Sequence, residues 1–292
     1  MMRTIRVPLL ADLLVTEDTD AIRALAAESR LDRGVPASAP LVNRMIAHRV
    51  ANVLQVEGRP LPSAAPRDSP GRAVARDALE ARLNGFPVDE AHLDALAAYV
   101  GGRERRPLGP LVQEAIGRLF AAEFRATDET WQAARLLDEA ARTLNPIRRL
   151  IWAFTGRVND ARRLLARPFA GDPAALHGVA IAVHNLVVSF ERMRALAAGP
   201  GGLARHTPAE AASICLAAPP RVLRYAAAPG ANAHATFRAG TLVLFKLEAA
   251  RARTLAHDVA FLSTTWSRCP AHAWVPALLE TAWQRASGTA RP

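Results

Sequence analysis

The sequence predicts a mainly helical protein with a small β element late in the chain. Three observations carry this. Segments with N-cap residues and helical apolar spacing follow one another from Asp18 to Ala217. The best strand signal, rich in β-branched and aromatic residues, is Thr241-Leu242-Val243-Leu244-Phe245. No internal repeat, heptad run or composition shift divides the chain, which predicts a single domain over 1–292.

Residues 7–15 read as a short strand or an extended lead-in. Asp18 is an N-cap and Asp20 a first-turn acid for a helix reaching about Ala27, because carboxylates there satisfy free N–H groups and complement the positive helix end. A helix over Leu41–Leu54 precedes a flexible loop, 58–71, that carries Pro60, Pro62, Pro66 and Pro70. Helices then follow over 72–84, 89–100 (ending at Gly101-Gly102), 108–120 and 128–144 (stopped by Asn145-Pro146). Shorter ones cover 147–154 and 157–166. Asp172-Pro173 opens a long helix to about Ala198, with proline where its missing N–H is harmless. Thr207-Pro208-Ala209-Glu210 is a capping box for a helix ending near Ala217. A turn at 237–240, the strand at 241–245 and a last helix over 271–285 complete the chain.

Half of the 292 residues are hydrophobic, which excludes a disordered chain; at this length roughly 75% of the unfolded surface can be buried. The 37 basic residues exceed the 27 acidic ones by 10. Such an excess suggests nucleic acid or an acidic partner. Lys246, however, is the only lysine, and arginine and alanine dominate, so the excess reads first as compositional bias. Two cysteines, Cys215 and Cys269, make no disulfide framework and predict a cytoplasmic protein. The N-terminal apolar run is broken by Asp12, and the run Val179–Phe190 contains His184 and Asn185 and is too short to span a bilayer, so no membrane partner is expected.

Phosphate-loop, dinucleotide, zinc-protease, paired-cysteine and nucleophile-elbow motifs are absent. His177 and His184 share a helix face but make only two of the ligands a metal site needs. The pairs Arg148-Arg149 and Arg162-Arg163 lack interleaved aromatics and read as solvated faces. The segment Trp266-Ser267-Arg268-Cys269-Pro270-Ala271-His272 is different. A cysteine just before a helix, beside an arginine, is biased toward thiolate, and a thiolate can hold haem iron; a small packed, inert cysteine is the alternative.

The ordered series Ala218-Pro219-Pro220-Arg221-Val222-Leu223-Arg224, Ala239-Gly240-Thr241-Leu242-Val243-Leu244, Ala249-Ala250-Arg251-Ala252-Arg253 and Arg268-Cys269-Pro270-Ala271 resembles the C-terminal part of a cytochrome P-450. The opening, Leu13-Leu14-Val15-Thr16-Glu17-Asp18 followed by Ile22-Arg23-Ala24-Leu25, is similar to that family's start. The match is strongest over 207–286. It implies a cytochrome P-450-like helical architecture, haem as cofactor, and Cys269 as axial ligand. It further implies a propionate contact from Arg224, with Arg221 or Arg268 as alternates. The departures are specific. Leu262, Thr265 and Ser267 occupy the places of the family's Phe, Gly and Arg before the cysteine. Ser213 and Leu216 occupy those of its Glu-x-x-Arg pair. His184 and Asn185 lie where the family keeps its acid–alcohol relay, so they become the distal catalytic candidates, and the chain is shorter than usual.

The implied function is a haem-thiolate oxidoreductase, a monooxygenase or peroxygenase, acting on a small apolar organic substrate with a redox partner protein or peroxide. The alternatives are a catalytically degenerate binding or partner protein of the same fold, and an unrelated Arg-rich helical nucleic-acid-binding module.

Overall fold

The structure is a computed structural model and describes residues 2–53, 65–85, 88–143 and 145–288. In chain order its elements begin with strands β1 (Met2–Val7) and β2 (Ala11–Thr16), helix α1 (Thr19–Ala27), β3 (Leu31–Asp32) and helices α2 (Leu41–Val53) and α3 (Arg72–Gly85). Next come α4 (Glu90–Val100), α5 (Leu108–Arg118), α6 (Asp128–Arg142), α7 (Pro146–Thr155), α8 (Arg157–Ala166) and α9 (Pro173–His177). A π-helical turn, Gly178–Ala182, leads into α10 (Val183–Ala197) and then α11 (Pro208–Cys215). Strands β4 (Val222–Ala226), β5 (Gly230–Ala231), β6 (Thr236–Phe237) and β7 (Leu242–Phe245) precede α12 (Leu247–Thr254), α13 (His257–Phe261) and α14 (Trp274–Gly288).

The mainly helical expectation fits. The caps read from sequence form as chemistry dictates: Asp18 accepts from the Ala21 amide at 2.9 Å, Asp172 from Ala174 at 2.8 Å, and Thr207 and Glu210 cap one another's backbone. The β element is larger than expected and draws on both ends of the chain. It is a five-stranded sheet in the order β1-β2-β7-β4-β3, with β2 parallel to β7 and the other pairings antiparallel. The extended lead-in of 7–15 is in fact a hairpin that turns at 8–10. The expected loop 58–71 falls outside the described residues up to position 64.

Where the sequence reads as one domain, the contacts group into two compact units assembled from separated stretches, so no composition shift could mark them. The first comprises Met1–Asn52, Pro62–Asp77 and Ala218–His272. Its core is the sheet with α1, α12 and α13, sealed by Leu14, Ile22, Leu25, Phe237 and Phe245. Gly240 sits at the turn into β7 with φ +83°, and a Cβ there would lie 2.6 Å from the Ala39 Cα. Gly240→Ala is therefore expected to lower unfolding stability by about 3 kcal/mol, combining left-handed strain with a backbone clash, as chemical denaturation would measure.

The second unit comprises Val53–Leu61, Ala78–Ala217 and Ala273–Pro292. Helices α4, α5, α10, α11 and α14 pack around the fully buried Phe190 and Trp283. The helix expected over 173–198 is present, but Gly178–Ala182 within it is π-helical. Together α9, the π turn and α10 run for 25 residues, long and apolar enough to cross a membrane. That corrects the length inferred from Val179–Phe190. Half of its most apolar window is buried in the protein, as in a core helix. In place of a Glu-x-x-Arg ion pair, α10 holds the end of α11 by side-chain hydrogen bonds to its backbone. Ser189 Oγ accepts from the Ala217 amide at 2.9 Å, and the Arg192 guanidinium donates to the Leu216 carbonyl at 3.2 Å.

Candidate functional site

β4 lies between β7 and β3, so its backbone is paired along both edges, and the side chain at its centre is buried. That side chain is Arg224, 2% exposed and opposite Val243. Its two terminal nitrogens donate to the Leu223 carbonyl and to Ser267 Oγ, each at 2.6 Å; neither acceptor carries a charge. Its Nε is buried and has no acceptor. Ser267 stands two residues before Cys269, where the resembled family keeps an arginine. Here the serine links the cysteine loop to an arginine supplied by the sheet.

Trp266 is the centre of the surrounding cluster. The guanidiniums of Arg72, Arg224 and Arg67 lie 4.5, 5.5 and 5.9 Å from its ring centroid. Its carbonyl accepts from Arg76 at 3.1 Å and Arg72 at 3.3 Å, whereas its buried indole N–H has no acceptor. Arg33 joins from the segment after β3, donating to the Ser267 carbonyl at 3.5 Å. The nearby carboxylate, Asp32, accepts from the backbone amides of Arg33, Gly34 and Arg67.

Crowded cations with little compensating charge repel one another. Burial, followed by the charges of Arg33 and Arg72, pushes Arg224 well below the usual arginine range. Burial and Arg72 bring Arg33 down to about 10, with Cys269 and Asp32 opposing. Burial and Arg76 lower Arg72 as well. The cluster thus has surplus positive charge and two orphaned buried donors, and it lies within the electrostatic reach of Cys269. It is suited to a group carrying carboxylates.

Cys269 is half-buried, in the turns before α14. Its amide donates to the Phe261 carbonyl at 2.9 Å, and its carbonyl accepts from the His272 amide at 3.2 Å. The helix expected from 271 begins at Trp274, so the helix dipole contributes less at the sulfur than the sequence implied, and Arg33 is a source of positive charge there. The alternates separate: Arg268 lies 3.5 Å from Asp77, and Arg221 is exposed at the start of β4.

His184 and Asn185 belong to the other unit, on the first turn of α10 directly after the π turn. The His184 ring stacks on Trp131, with centroids 4.9 Å apart, and hydrogen-bonds to the Ala134 backbone. Its Nε2 is buried without a partner, and the residue borders a cleft with Arg135, Asp138 and Arg142. Asn185 is half-buried, and its carbonyl accepts from Ser189 Oγ at 2.9 Å. Burial lowers the His184 pKa against the opposing charge of Asp138. A histidine with a lowered folded value stabilises the protein above its ordinary value and loses that contribution as pH falls below it. Unfolding stability should thus decline below about pH 6.5, and His184→Gln should reduce that decline in denaturant titrations.

Arg33, Arg72 and Trp266 carry this site and escape the sequence reading. They come from three distant segments and match no local motif; the one available hint was an aromatic next to the cysteine loop.

No family model and no curated protein matches the chain. Solved structures do. CYP154A1 from Streptomyces coelicolor A3(2) aligns over 97% of this chain and 85% of its own, with a TM-score of 0.61 and 16% identity. CYP175A1 from Thermus thermophilus aligns over 98% and 83%, with a TM-score of 0.59 and 16% identity. CYP1050A1 (RauA), complexed with a biosynthetic intermediate of aurachin RE, aligns over 99% and 88%, with a TM-score of 0.57 and 13% identity. The chain therefore has a divergent cytochrome P-450-like fold.

Proposed function

We propose that this chain binds haem through Cys269 and acts as a haem-thiolate oxidoreductase on a small apolar organic substrate. The observation that carries the reading is the arginine cluster around Trp266. Its Arg224 Nε and Trp266 N–H are buried without acceptors, and its Arg33 interacts electrostatically with Cys269, the cysteine that the resemblance gives as axial ligand. Arg224, Arg33 and Arg72 would hold the two propionates, and the Trp266 N–H and Arg224 Nε would gain the acceptors they lack. Cys269 would ligate the iron as thiolate. The bound group would supply oxygen or peroxide activation, which an electron-donating thiolate favours.

The remaining steps fall to the chain itself. Arg33 and Arg72 would neutralise the propionates, and Arg33 interacts electrostatically with Cys269. In the second unit, Asn185 offers a neutral amide of the kind that orients an oxidant. His184 is neutral near pH 7, so its free Nε2 is a proton acceptor. Such a pair suits peroxide use better than a carboxylate relay does, and a redox partner protein is the other electron source. The test is reconstitution with haem, followed by peroxide- or reductase-dependent turnover of apolar substrates. Haem uptake with turnover supports the reading.

A second reading, a haem-binding protein without turnover, is favoured by one observation: His184 is engaged by Trp131 and Ala134. Haem uptake with no turnover under either oxidant would select it. Nucleic-acid binding is the third reading, and it requires a steep salt dependence on duplex DNA.

A further inference from the structure

α7 has inverted amphipathicity. Trp152, 8% exposed, packs on Ala140 and Leu136 of α6 and Val158 of α8. The opposite face bears Ile147, Leu150, Ile151 and Phe154, at the i, i+3, i+4 and i+7 positions of one helical stripe. These four residues are 69%, 59%, 51% and 82% exposed. A helix of a globular protein normally turns such a stripe inward; this one is docked by a single tryptophan and presents the stripe outward. At 100° per residue, Arg148 falls between the stripe and Trp152 and is ion-paired with Glu139 of α6, and Arg149 falls on the far side of Trp152. Arg157 follows just past Gly156. Over residues 146–167 there are six arginines and a single acid, Asp160, which is paired with Arg163.

We infer that α7 is a docking face for an anionic lipid surface. An uninterrupted aliphatic and aromatic stripe is what an acyl boundary accepts, and the excess of arginines over acids in 146–167 is what phosphate headgroups select. A second copy meeting this face through a twofold axis would bring this arginine-rich stretch against itself, which opposes self-association. Surface adsorption needs a stripe and not a span. The inference does not depend on haem.

The test is vesicle co-sedimentation of the full chain with phosphatidylcholine alone and with phosphatidylcholine containing a quarter phosphatidylglycerol. Binding to the anionic vesicles is expected to be at least about tenfold tighter than to the neutral ones and to weaken with salt. Phe154→Ser keeps the net charge and, at an exposed position, the fold. It should weaken anionic-vesicle binding by about tenfold, and Leu150→Ser should act in the same direction. If Phe154→Ser binds as the parent does, adsorption reflects only the net charge and the inference fails. It fails equally if no vesicle is bound, or if the chain instead forms a dimer that Phe154→Ser dissociates.

Discussion

Arg224→Met is expected to stabilise the haem-free protein while weakening haem binding. The Arg224 guanidinium is sealed inside the sheet. Its acceptors are a carbonyl and a hydroxyl, and Arg33 and Arg72 repel it. A methionine of similar length fills the space without carrying a desolvated charge. Replacing buried charges by apolar groups of like volume stabilises by about 1–4 kcal/mol elsewhere, so a gain of about 1–2 kcal/mol in the haem-free form is expected. Ser267 still contacts Thr265 Oγ1 at 3.2 Å, which limits the loss on its side. Haem affinity should fall about tenfold or more, because a charge-assisted hydrogen bond to a propionate contributes about 1.5–3 kcal/mol. Opposite signs in thermal unfolding and haem titration mark a residue kept for a ligand. A drop in both would make Arg224 a structural group only.

Cys269→Ala is expected to remove the thiolate signature completely while leaving the fold in place. The side chain is half-buried and small, so the substitution should cost about 1 kcal/mol of stability. The effect on the iron should be qualitative: the reduced carbon-monoxide complex loses its red-shifted Soret band, whatever residual haem the arginines retain. Cys215, 1% exposed at the end of α11, is the control. Cys215→Ala should leave the spectrum unchanged. A spectrum indifferent to Cys269 would place the ligand elsewhere.

What the sequence made legible was local. Asp18, Asp172 and the Thr207–Glu210 box each cap within three residues, and the structure forms all of them. Arg224 and Cys269 were reachable through the ordered series they belong to. The β1–β2 hairpin was not, because β1 is almost wholly exposed and carries no buried alternation for a pattern to reveal. The start of α14 shifts to Trp274 because the residues before it are taken up in turns closed by Cys269 and His272. The arginine cluster was hidden for a different reason. Arg33, Arg72 and Trp266 are far apart in sequence, and among so many arginines none stands out until burial selects it. Within the positive balance, three arginines form a buried group whose members all have lowered pKa values.

The most direct measurement is the absorption spectrum of the purified, haem-reconstituted protein, reduced and exposed to carbon monoxide. Stoichiometric haem uptake with the red-shifted Soret band of a thiolate ligand is the expected result. Failure to take up haem, or a Soret band at the position of a neutral ligand in the unmodified protein, would contradict the reading of Cys269 and the cluster around Trp266 as a haem site.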